Sequence, residues 1–515
     1  MPVVKKIDYK VEVGRAIQRA RVKRNLTQLD LAKKLGTSQS AINRVENGRQ
    51  NISLDMVSHI NQALNIQLLS VNDNSSTAFY INGGRELSGE VAVNTSKNSC
   101  MGLLAASLLN GSKTTLKNVS KIEEVQRIIE VFKSMGVKVK WVNGKTDLEI
   151  DPPKILNIEH INLESARKTR SIILLLGSLL HKFNKFKLPF AGGCSLGERT
   201  VEPHLQALHA FGLQIDARCD DGFYSAVVKE TEKGDKKIVL IERGDTVTEN
   251  AIIAASLWSG KTTIVNASSN YMVQDVCFYL QKLGVQIDGI GTTTLVVRGK
   301  SKINKPIEYC PSEDPIEAMS FLAAGIVTKS EITVKRVPIE FLAIELEILK
   351  SMNLKFTLSD EYFSNNGRTR LVDLTIHKST LFAPVDKIHP MPYPGLNIDN
   401  LPFFVVIAAT AEGRTLIHDW VFENRSLYFT ELSRLNAKVQ LLDAHRVFVD
   451  GPTNWRPADM MTPPALRPAM VIMLAMLATS GKSILRNIYA INRGYADFTE
   501  RLNRLGANIE TVINA

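Results

Sequence analysis

A thiol in an unusual glycine-rich segment is the first candidate for chemistry in this sequence. Within residues 188–204, three glycines surround Cys194, and Arg199 follows five positions later. Glycine lets the backbone take conformations that other residues avoid, so the segment is predicted to be a mobile loop. A positive charge close to a thiol lowers its pKa and favours the reactive thiolate. The pattern indicates a reactive cysteine, and a buried, inert thiol is the alternative for any single cysteine.

Two other segments look like the end of a phosphate-binding loop. Residues 259–262 and 480–483 both read Ser-Gly-Lys followed by Thr or Ser. A true phosphate-binding loop has another glycine five residues earlier and precedes a helix. Neither segment has that glycine, and both follow a helical stretch. We therefore predict that both are turns from a helix into a strand.

The positive charge of the chain is concentrated near its N-terminus. Residues 1–72 contain 12 Lys and Arg against 5 Asp and Glu, a net charge of +7, whereas the whole 515-residue chain carries +11. A basic segment on a nearly neutral body is typical of binding to a polyanion, and nucleic acid is the obvious candidate.

Within this basic segment, the apolar spacing is helical and is interrupted by residues that cap helices. Thr27 is predicted to cap a helix that stops at Gly36, and Thr37 to cap the next helix, residues 38–46, which ends at Asn47. Two short helices joined by a tight glycine-containing turn form the helix-turn-helix motif. These residues resemble the phage-repressor and Cro-like family of DNA-binding domains.

The resemblance implies binding to double-stranded DNA through residues 11–71. In such domains the helix at residues 38–46 enters the major groove with its N-terminal side first. The residues implied to contact bases or phosphates are Gln28, Gln39, Ser40, Asn43 and Arg44. Readers of this kind usually bind two half-sites as a dimer, so a homodimer is expected. The alternative is that these side chains form the solvated face of a helical docking bundle.

An internal repeat organises the chain beyond residue 78. Each copy has an apolar, Ala-rich helix, a β-branched strand, a second helix and an alternating strand. The second helix of each copy ends at a Gly or Asn, which suits the left-handed conformation that often follows a helix terminus. These six residues are Gly136, Gly212, Gly284, Asn353, Asn436 and Gly506. Six units, three in each of two lobes, predict an α/β fold with a ligand cleft between the lobes.

Motifs spread over residues 78–512 resemble the UDP-N-acetylglucosamine 1-carboxyvinyltransferase family, whose fold is a two-lobed inverse α/β barrel of six repeated units. The motifs lie at residues 96–99, 169–171, 192–194, 397–399, 421–425 and 491–495. The related shikimate-pathway enolpyruvyl transferases share the fold but lack the cysteine. The resemblance therefore favours the amino-sugar branch. It implies transfer of the enolpyruvyl group of phosphoenolpyruvate to the 3-hydroxyl of UDP-N-acetylglucosamine with release of phosphate, the first committed step of peptidoglycan synthesis.

The same resemblance assigns an anion-binding set. Phosphoenolpyruvate is small and densely anionic, so a dry cleft needs several cations to hold it. The residues implied to bind it are Lys97, Arg199 and Arg493 at the phosphate, and Arg425 and Arg467 at the carboxylate.

The resemblance also assigns the acid, the base and the sugar site. Cys194 is implied to protonate the enol as the general acid, Asp399 to accept the hydroxyl proton, and Lys97 to be a third catalytic residue. The residues implied to bind the UDP-sugar are Asn98, Arg170, Glu202, His204, Val247, Asp399 and Val421.

One position departs from the family pattern. The family's Asp-Leu-Arg motif begins with Ala465 in this chain, so a methyl group replaces a carboxylate beside Arg467. Residues 311–317 also match their family counterpart poorly. The missing carboxylate would orient neighbouring arginines and balance their charge. Two alternatives therefore stay open: a transcription regulator that binds UDP-sugars with little or no catalysis, and an enolpyruvyl transferase of secondary metabolism acting on another nucleotide.

These features predict a DNA-binding domain and a two-lobed body. Residues 1–72 form the helix-turn-helix domain and 73–77 a linker, residues 97–309 form lobe I with the cysteine loop, and residues 78–96 with 310–515 form lobe II. No apolar run is long enough to span a bilayer and no secretory pattern is present, so a cytoplasmic location is expected. Five scattered cysteines fit free thiols, and neither a metal ion nor a cofactor is expected.

Overall fold

The computed structural model describes residues 14, 17, 18, 21, 22, 26–50, 56, 59, 60, 77–190, 200–216 and 222–513. Packing divides the chain into two compact units, Met1–Asp73 and Asn74–Ala515.

The first unit contains the two predicted helices, α1 (Gln28–Lys34) and α2 (Gln39–Glu46). Thr27 caps α1 as predicted, because its hydroxyl accepts the N–H of Asp30, whose carboxylate in turn accepts the N–H of Thr27. The predicted cap of the next helix was wrong by one residue. The turn after Gly36 takes one more residue than expected, so the hydroxyl that accepts the Ala41 N–H, at 3.2 Å, belongs to Ser38 and not to Thr37.

A small core and one buried ion pair hold the first unit together. Arg21 donates to Glu46 through Nε at 2.6 Å and Nη2 at 2.9 Å, and both side chains are buried. This bidentate geometry compensates much of the cost of removing the two charges from water. Ile17, N-terminal to α1, is completely buried. The buried apolar side chains are Ile17, Leu31, Ala32, Ile42, Val45 and Ile60.

The second unit alternates helices and strands, as an α/β fold requires. Its helices are α3 (Lys97–Ser107), α4 (Glu123–Ser134), α5 (Leu163–Arg167), α6 (Leu176–Leu179), α7 (Glu202–His209), α8 (Asp245–Ala255), α9 (Tyr271–Lys282), α10 (Pro315–Val327), α11 (Ala343–Ser351), α12 (Leu401–Ala408), α13 (Arg425–Phe429), α14 (Leu466–Ala478), α15 (Tyr489–Asn492) and α16 (Phe498–Arg504). Short 3-10 helices span Arg170–Leu175, Ile339–Phe341 and Thr430–Leu435.

The strands of this unit are short. They are β1 (Thr77–Gly83), β2 (Ser88–Ala92), β3 (Thr114–Leu116), β4 (Lys138–Val142), β5 (Asp147–Asp151), β6 (Lys185–Pro189), β7 (Leu213–Asp216), β8 (Phe223–Val228), β9 (Lys236–Val239), β10 (Lys261–Val265), β11 (Gln286–Asp288), β12 (Thr294–Arg298), β13 (Ile307–Tyr309), β14 (Glu331–Pro338), β15 (Lys355–Leu358), β16 (Tyr362–Phe363), β17 (Arg370–His377), β18 (Gly413–His418), β19 (Lys438–Leu441), β20 (Arg446–Gly451), β21 (Asp459–Met461), β22 (Gly481–Arg486) and β23 (Ile509–Ile513).

Across the described part of the chain, these strands form six sheets, which fall into two groups. Three sheets use only strands of residues 114–309, in the orders β13-β3-β5-β4, β6-β8-β7 and β11-β12-β10-β9. The other three use strands outside that range, in the orders β21-β22-β1-β23, β15-β17-β14-β2 and β18-β20-β19, and β16 pairs with β17. The six sheets therefore agree with the six-unit α/β fold predicted from the sequence.

Two hydrophobic cores correspond to the two groups of sheets. In the first core, the helices α3, α8 and α9 are buried over almost their whole length. In the second core, the helices α10, α12 and α14 are buried in the same way. A helix that is apolar on every side is stable only when other elements surround it. The apolar, Ala-rich helices of the repeat thus fill the centres of the two cores.

The chain crosses between the two cores along paired segments, residues 94–96 and 312–314. Thr95 and Glu313 form an antiparallel bridge. The N–H of Asp314 donates to the carbonyl of Asn94 at 2.9 Å, and the N–H of Ser96 donates to the carbonyl of Ser312 at 2.8 Å. The N-termini of α3 and α10 therefore emerge side by side.

The predicted helix terminators all adopt the left-handed conformation. The φ values are 85° at Gly136, 87° at Gly212, 91° at Gly284, 73° at Asn353, 74° at Asn436 and 104° at Gly506. The two false phosphate-loop motifs are turns as predicted, since Gly260 and Gly481 have positive φ and lead into β10 and β22.

Within the ranges that the structure describes, no helix is both long and apolar enough to cross a membrane.

Alanine at Gly212 is expected to lower the free energy of unfolding by about 3 kcal/mol or more. A Cβ there would lie 2.1 Å from the carbonyl oxygen of Lys229, in addition to the strain of a left-handed φ. The matched control is Gly136→Ala, where φ is similar but the nearest atom is Pro153 Cγ at 3.7 Å, so only the strain of about 1–2 kcal/mol applies. Urea unfolding followed by tryptophan fluorescence measures both, and equal losses would contradict the steric argument.

Candidate active site

Lys97 is the first residue of α3, directly after one of the crossing segments. Its Nζ forms an ion pair with Oε2 of Glu124 at 2.6 Å, and both side chains are mostly buried. Thr169 donates its hydroxyl to the other oxygen of Glu124 at 3.4 Å. Burial alone would raise the pKa of the Glu124 carboxyl, but the charges of Lys97 and Arg493 outweigh it and lower that pKa. Glu124 therefore stays ionised between two cations.

Arg493 follows α15 and approaches this cluster from the second core. Its guanidinium is half-buried, and no carboxylate of the described residues lies within ion-pairing distance of it. Tyr489, at the start of α15, donates its hydroxyl to Glu123 Oε1 at 2.9 Å and so links the two cores. Lys97 and Arg493, both predicted to bind the phosphate, thus both act on the Glu124 carboxylate.

Arg467 and Asp399 are in direct contact. The Arg467 Nη2 lies 3.3 Å from Asp399 Oδ2, and Nη1 donates to the hydroxyl of Tyr495 at 2.8 Å. Ser320 Oγ lies 2.7 Å from that hydroxyl. Burial alone would lower the pKa of Arg467, but Tyr495, Asp399 and Asp314 outweigh it and raise that pKa. The predicted carboxylate-binding arginine and the predicted base are therefore neighbours.

Asp314 lies between the two groups of cations. It caps α10, because its Oδ1 accepts the N–H of Ile316 at 2.8 Å and of Glu317 at 3.3 Å. Burial raises the pKa of the Asp314 carboxyl, and the charges of Arg467 and Lys97 oppose that rise. Sequence reasoning missed this residue. The Asp-Pro pair at a helix start indicates a cap, but no local pattern shows which cations it faces.

Arg425 begins α13 and is completely buried. Its Nε is paired with the carboxylate of Asp419, and its Nη2 donates to the carbonyl of Ile398 at 2.9 Å. Its Nη1 has no hydrogen-bond partner among the described residues. The guanidinium lies 4.4 Å from the ring centroid of Phe422. Arg425 thus supports the segment that carries Asp399 and keeps one donor unused.

Asn98 reaches the same region through a buried tyrosine. The hydroxyl of Tyr271 lies 3.3 Å from Nδ2 of Asn98 and 3.1 Å from Oγ of Ser96. Burial raises the pKa of Tyr271 well above its ordinary value, and the charges of Asp314 and Asp399 raise it further. Asn98 therefore lies near the predicted base, and its partner Tyr271 belongs to the same hydrophobic core as α3.

A second group of the predicted sugar-binding residues lies within the first core. Arg170 is half-buried, and its Nη2 donates to the carbonyl of Thr200 at 3.4 Å. His204 is buried between Asn250, at 2.9 Å from Nδ1, and Thr246, at 3.3 Å from Nε2. Since Asn250 Nδ2 is a donor, Nδ1 of His204 accepts and Nε2 carries the proton. Burial, and then the charge of Arg170, lower the pKa of His204 to about 3.

The remaining predicted site residues that the structure describes are Glu202, Val247 and Val421. Glu202 is exposed at the start of α7, Val421 is 40% exposed, and Val247 is buried in α8. Cys194 and Arg199 lie in residues 191–199, outside the described residues, so their roles stay predictions. Of the other cysteines, Cys100, Cys277 and Cys310 are buried free thiols, as expected, and Cys219 lies outside the described residues.

Ala465 occupies the N-cap of α14. Its backbone is extended, with φ −107° and ψ 132°, and no side chain caps the helix. Arg467 lies two residues further on, in the first turn. The position where the family has a carboxylate is thus geometrically a capping position, which in this chain is filled by a methyl group.

Four of the five predicted DNA-contacting residues lie on α2, and their side chains are exposed: Gln39, Ser40, Asn43 and Arg44. The fifth, Gln28, begins α1 and is half-buried. Its Nε2 donates to Glu46 at 2.9 Å and its Oε1 accepts from Asn43 at 3.4 Å. Gln28 therefore links α1 to α2.

Comparison with known proteins decides the family. Residues 81–502 match the family model of EPSP synthase (3-phosphoshikimate 1-carboxyvinyltransferase). This chain belongs to the enolpyruvyl transferase family. It is 33% identical over 431 residues to the UDP-N-acetylglucosamine 1-carboxyvinyltransferase of Campylobacter hominis, covering 84% of this chain and 98% of that protein. Identity to the Clostridium acetobutylicum enzyme of the same name, numbered 1, is 31%, covering 84% and 99%. Residues 17–70 match a helix-turn-helix family.

Solved structures of this family share the fold. The enolpyruvyl transferase NikO from Streptomyces tendae superposes with a TM-score of 0.74 at 23% identity, covering 85% of this chain and 99% of that one. EPSP synthase from Acinetobacter baumannii gives 0.66 at 20% identity, covering 85% and 100%. The α/β fold, the enolpyruvyl transferase family and the helix-turn-helix family predicted from the sequence are thereby confirmed.

The buried His204 is expected to make this enolpyruvyl transferase family member sensitive to acid. Its pKa is about 3 when folded and 6.5 ordinarily, so below pH 6.5 the unfolded chain binds a proton that the folded chain does not. Stability is therefore lost as the pH falls from 6.5 towards 3. His204→Gln should lose about 2 kcal/mol less between pH 7 and pH 5 than the original chain. Urea unfolding at both pH values measures this. The exposed His209, on the same helix, provides the control His209→Gln, and an identical pH dependence in both variants would refute the assignment.

Proposed function

We propose that this protein transfers the enolpyruvyl group of phosphoenolpyruvate to the 3-hydroxyl of UDP-N-acetylglucosamine and releases phosphate. The observation that carries this proposal is that Lys97 and Arg467 both lie near Asp314, while Arg467 also contacts Asp399 and Arg493 lies near the Glu124 partner of Lys97. Its relatives of 33% and 31% identity bear the name of the enzyme for this reaction.

In the proposed complex, each end of phosphoenolpyruvate meets its own cations. Lys97 and Arg493, with Arg199, bind the phosphate. Arg425 and Arg467 bind the carboxylate, and the unused Nη1 donor of Arg425 supports this role. A planar guanidinium suits a carboxylate, because it can donate two parallel hydrogen bonds, whereas an ammonium suits a phosphate as a compact charge.

The proposed chemistry is an addition followed by an elimination. The sugar oxygen bonds to C2 of the enol while Cys194 delivers a proton to C3, and Asp399 takes the hydroxyl proton. Loss of a proton from C3 then restores the double bond as the C2–O bond to phosphate breaks. Asp399 is held for this role by Arg467, whose Nη2 lies 3.3 Å from its Oδ2. The sugar is bound by Asn98, Arg170, Glu202, His204, Val247 and Val421.

We also propose the arrangement of the whole chain. Residues 1–72 bind double-stranded DNA through α2, aided by Gln28, and a homodimer reads two half-sites. Residues 73–77 link this domain to lobe II (residues 78–96 and 310–515) and lobe I (residues 97–309). The two separate hydrophobic cores support that division. The location is proposed to be cytoplasmic, where both small-molecule substrates are available.

Purified protein mixed with phosphoenolpyruvate and UDP-N-acetylglucosamine is expected to release inorganic phosphate, and Cys194→Ser to reduce the rate at least about a hundredfold, since general acid catalysis contributes that much. A coupled phosphate assay measures the release. The epoxide fosfomycin should add its mass to the original chain and not to Cys194→Ser. Absence of phosphate release with every UDP-sugar offered would refute the proposed transfer.

Ala465 favours a second candidate function, a UDP-sugar-sensing transcription regulator with little or no catalysis. The methyl group leaves α14 uncapped and supplies no charge beside Arg467. Such a regulator would bind DNA with an affinity that changes with UDP-N-acetylglucosamine and would release no phosphate. DNA binding titrated with and without the UDP-sugar, in parallel with the phosphate assay, separates the two functions.

Ala465→Asp is expected to raise kcat about tenfold, which corresponds to about 1.4 kcal/mol of transition-state stabilisation. The new carboxylate would pair with Arg467 and also cap α14, which by itself stabilises the fold by about 1 kcal/mol. Ala465→Asn is the matched control, because it supplies the cap without the charge. Steady-state kinetics and thermal unfolding of both variants separate the two effects. A kcat that rises equally in both would contradict the charge argument, and activity that appears only in Ala465→Asp would favour the regulator.

A further inference from the structure

The two cations assigned to the phosphate share one carboxylate. Lys97 is paired with Glu124 at 2.6 Å, and Arg493 is close enough to lower the pKa of that carboxyl. Within the described ranges, Arg493 forms no ion pair of its own. Before any substrate binds, these three side chains therefore carry a net charge of +1, with the negative charge held between the positive ones.

Glu124 is fixed by elements from both cores. It lies in the first turn of α4, where a helix stabilises negative charge, and Thr169 donates to it. Its neighbour Glu123 accepts from Tyr489, which is four residues before Arg493. The N-terminus of α4 therefore contacts Lys97 through Glu124, and it contacts α15, the helix that precedes Arg493, through Glu123.

We propose that Glu124 is a positioning residue: it holds Lys97 in place for the phosphate and, by opposing the charges of Lys97 and Arg493, keeps phosphate affinity low enough for the product to leave. This inference rests on the proposed function, which assigns the phosphate to these two cations.

The site has to bind phosphate as part of the substrate and release it as the product. Lys97 has three donors and can hold Glu124 and a phosphate oxygen at the same time. A phosphate bound there would meet both cations and, at slightly greater distance, a fixed negative charge that repels it. Without that charge the anion would bind more tightly, but tighter binding of substrate and product alike slows release, a step that limits many enzymes.

Glu124→Gln is the test, because it removes the charge and keeps a group of the same shape beside Thr169. Calorimetric titration of the full chain with inorganic phosphate is expected to give a Kd about tenfold lower than in the original chain. Turnover should show a lower kcat and a lower KM for phosphoenolpyruvate, with stronger inhibition by added phosphate. Loss of a purely structural contact would instead raise the Kd.

Three further variants sharpen the result. Glu124→Asp keeps the charge and should return the phosphate Kd to within about threefold of the original value. Glu130→Gln makes the same chemical change elsewhere on α4, where the carboxylate contacts Arg127 and Ser165, and should leave the Kd unchanged. Glu124→Ser is a second neutral variant and carries the test if the Gln variant does not fold, as judged by circular dichroism.

The outcomes distinguish this inference from the proposed function. An unchanged or higher phosphate Kd in a folded neutral variant overturns the role of Glu124, whatever the turnover. If the original chain binds phosphate but transfers nothing to any UDP-sugar, the proposed function fails, and the comparison of phosphate Kd values still decides whether Glu124 opposes phosphate binding.

Discussion

The arrangement of the candidate site depends on how the chain passes between its two cores. Residues 94–96 and 312–314 run antiparallel and are joined by backbone hydrogen bonds, with Thr95 opposite Glu313. Because each segment leads directly into a helix, Lys97 at the start of α3 and Asp314 at the cap of α10 are brought together without depending on a flexible loop. A displacement of this pair would separate Lys97 from Asp314 and from the group around Arg467.

Charge pairing then determines which cations are available to an anion. Lys97 is balanced by Glu124, Arg425 by Asp419 and Arg467 by Asp399, so burying these charges is compensated within the protein. Arg493 lacks such a pair among the described carboxylates. The site is therefore preorganised, and among the described residues of this group Arg493 is the cation that these pairs leave available to a small anion.

The sequence predicted the repeats far better than the contacts. Positions such as Gly212 and Asn436 could be identified because a left-handed helix terminus restricts residue type locally, and the structure confirms their φ values. Glu124 and Asp314 could not be identified in this way, because their importance comes from residues outside their own segments: Lys97 and Thr169 for Glu124, and Arg467 and Lys97 for Asp314. The motif containing Arg493 was recognised, yet the role of Tyr495 within it, as a donor–acceptor bridge to Arg467, needed coordinates.

Ala465 shows why charge balance and helix geometry have to be considered together. A carboxylate at this N-cap would be attracted both by the free N–H groups of α14 and by Arg467 two residues later, so it would be ionised and fixed. With a methyl group there, Arg467 depends on Asp399 as its paired carboxylate, and the same carboxylate is the proposed base. One group then has to neutralise an arginine and also accept a proton. The residue at position 465 therefore reaches the proposed chemistry through Arg467 and its contact with Asp399.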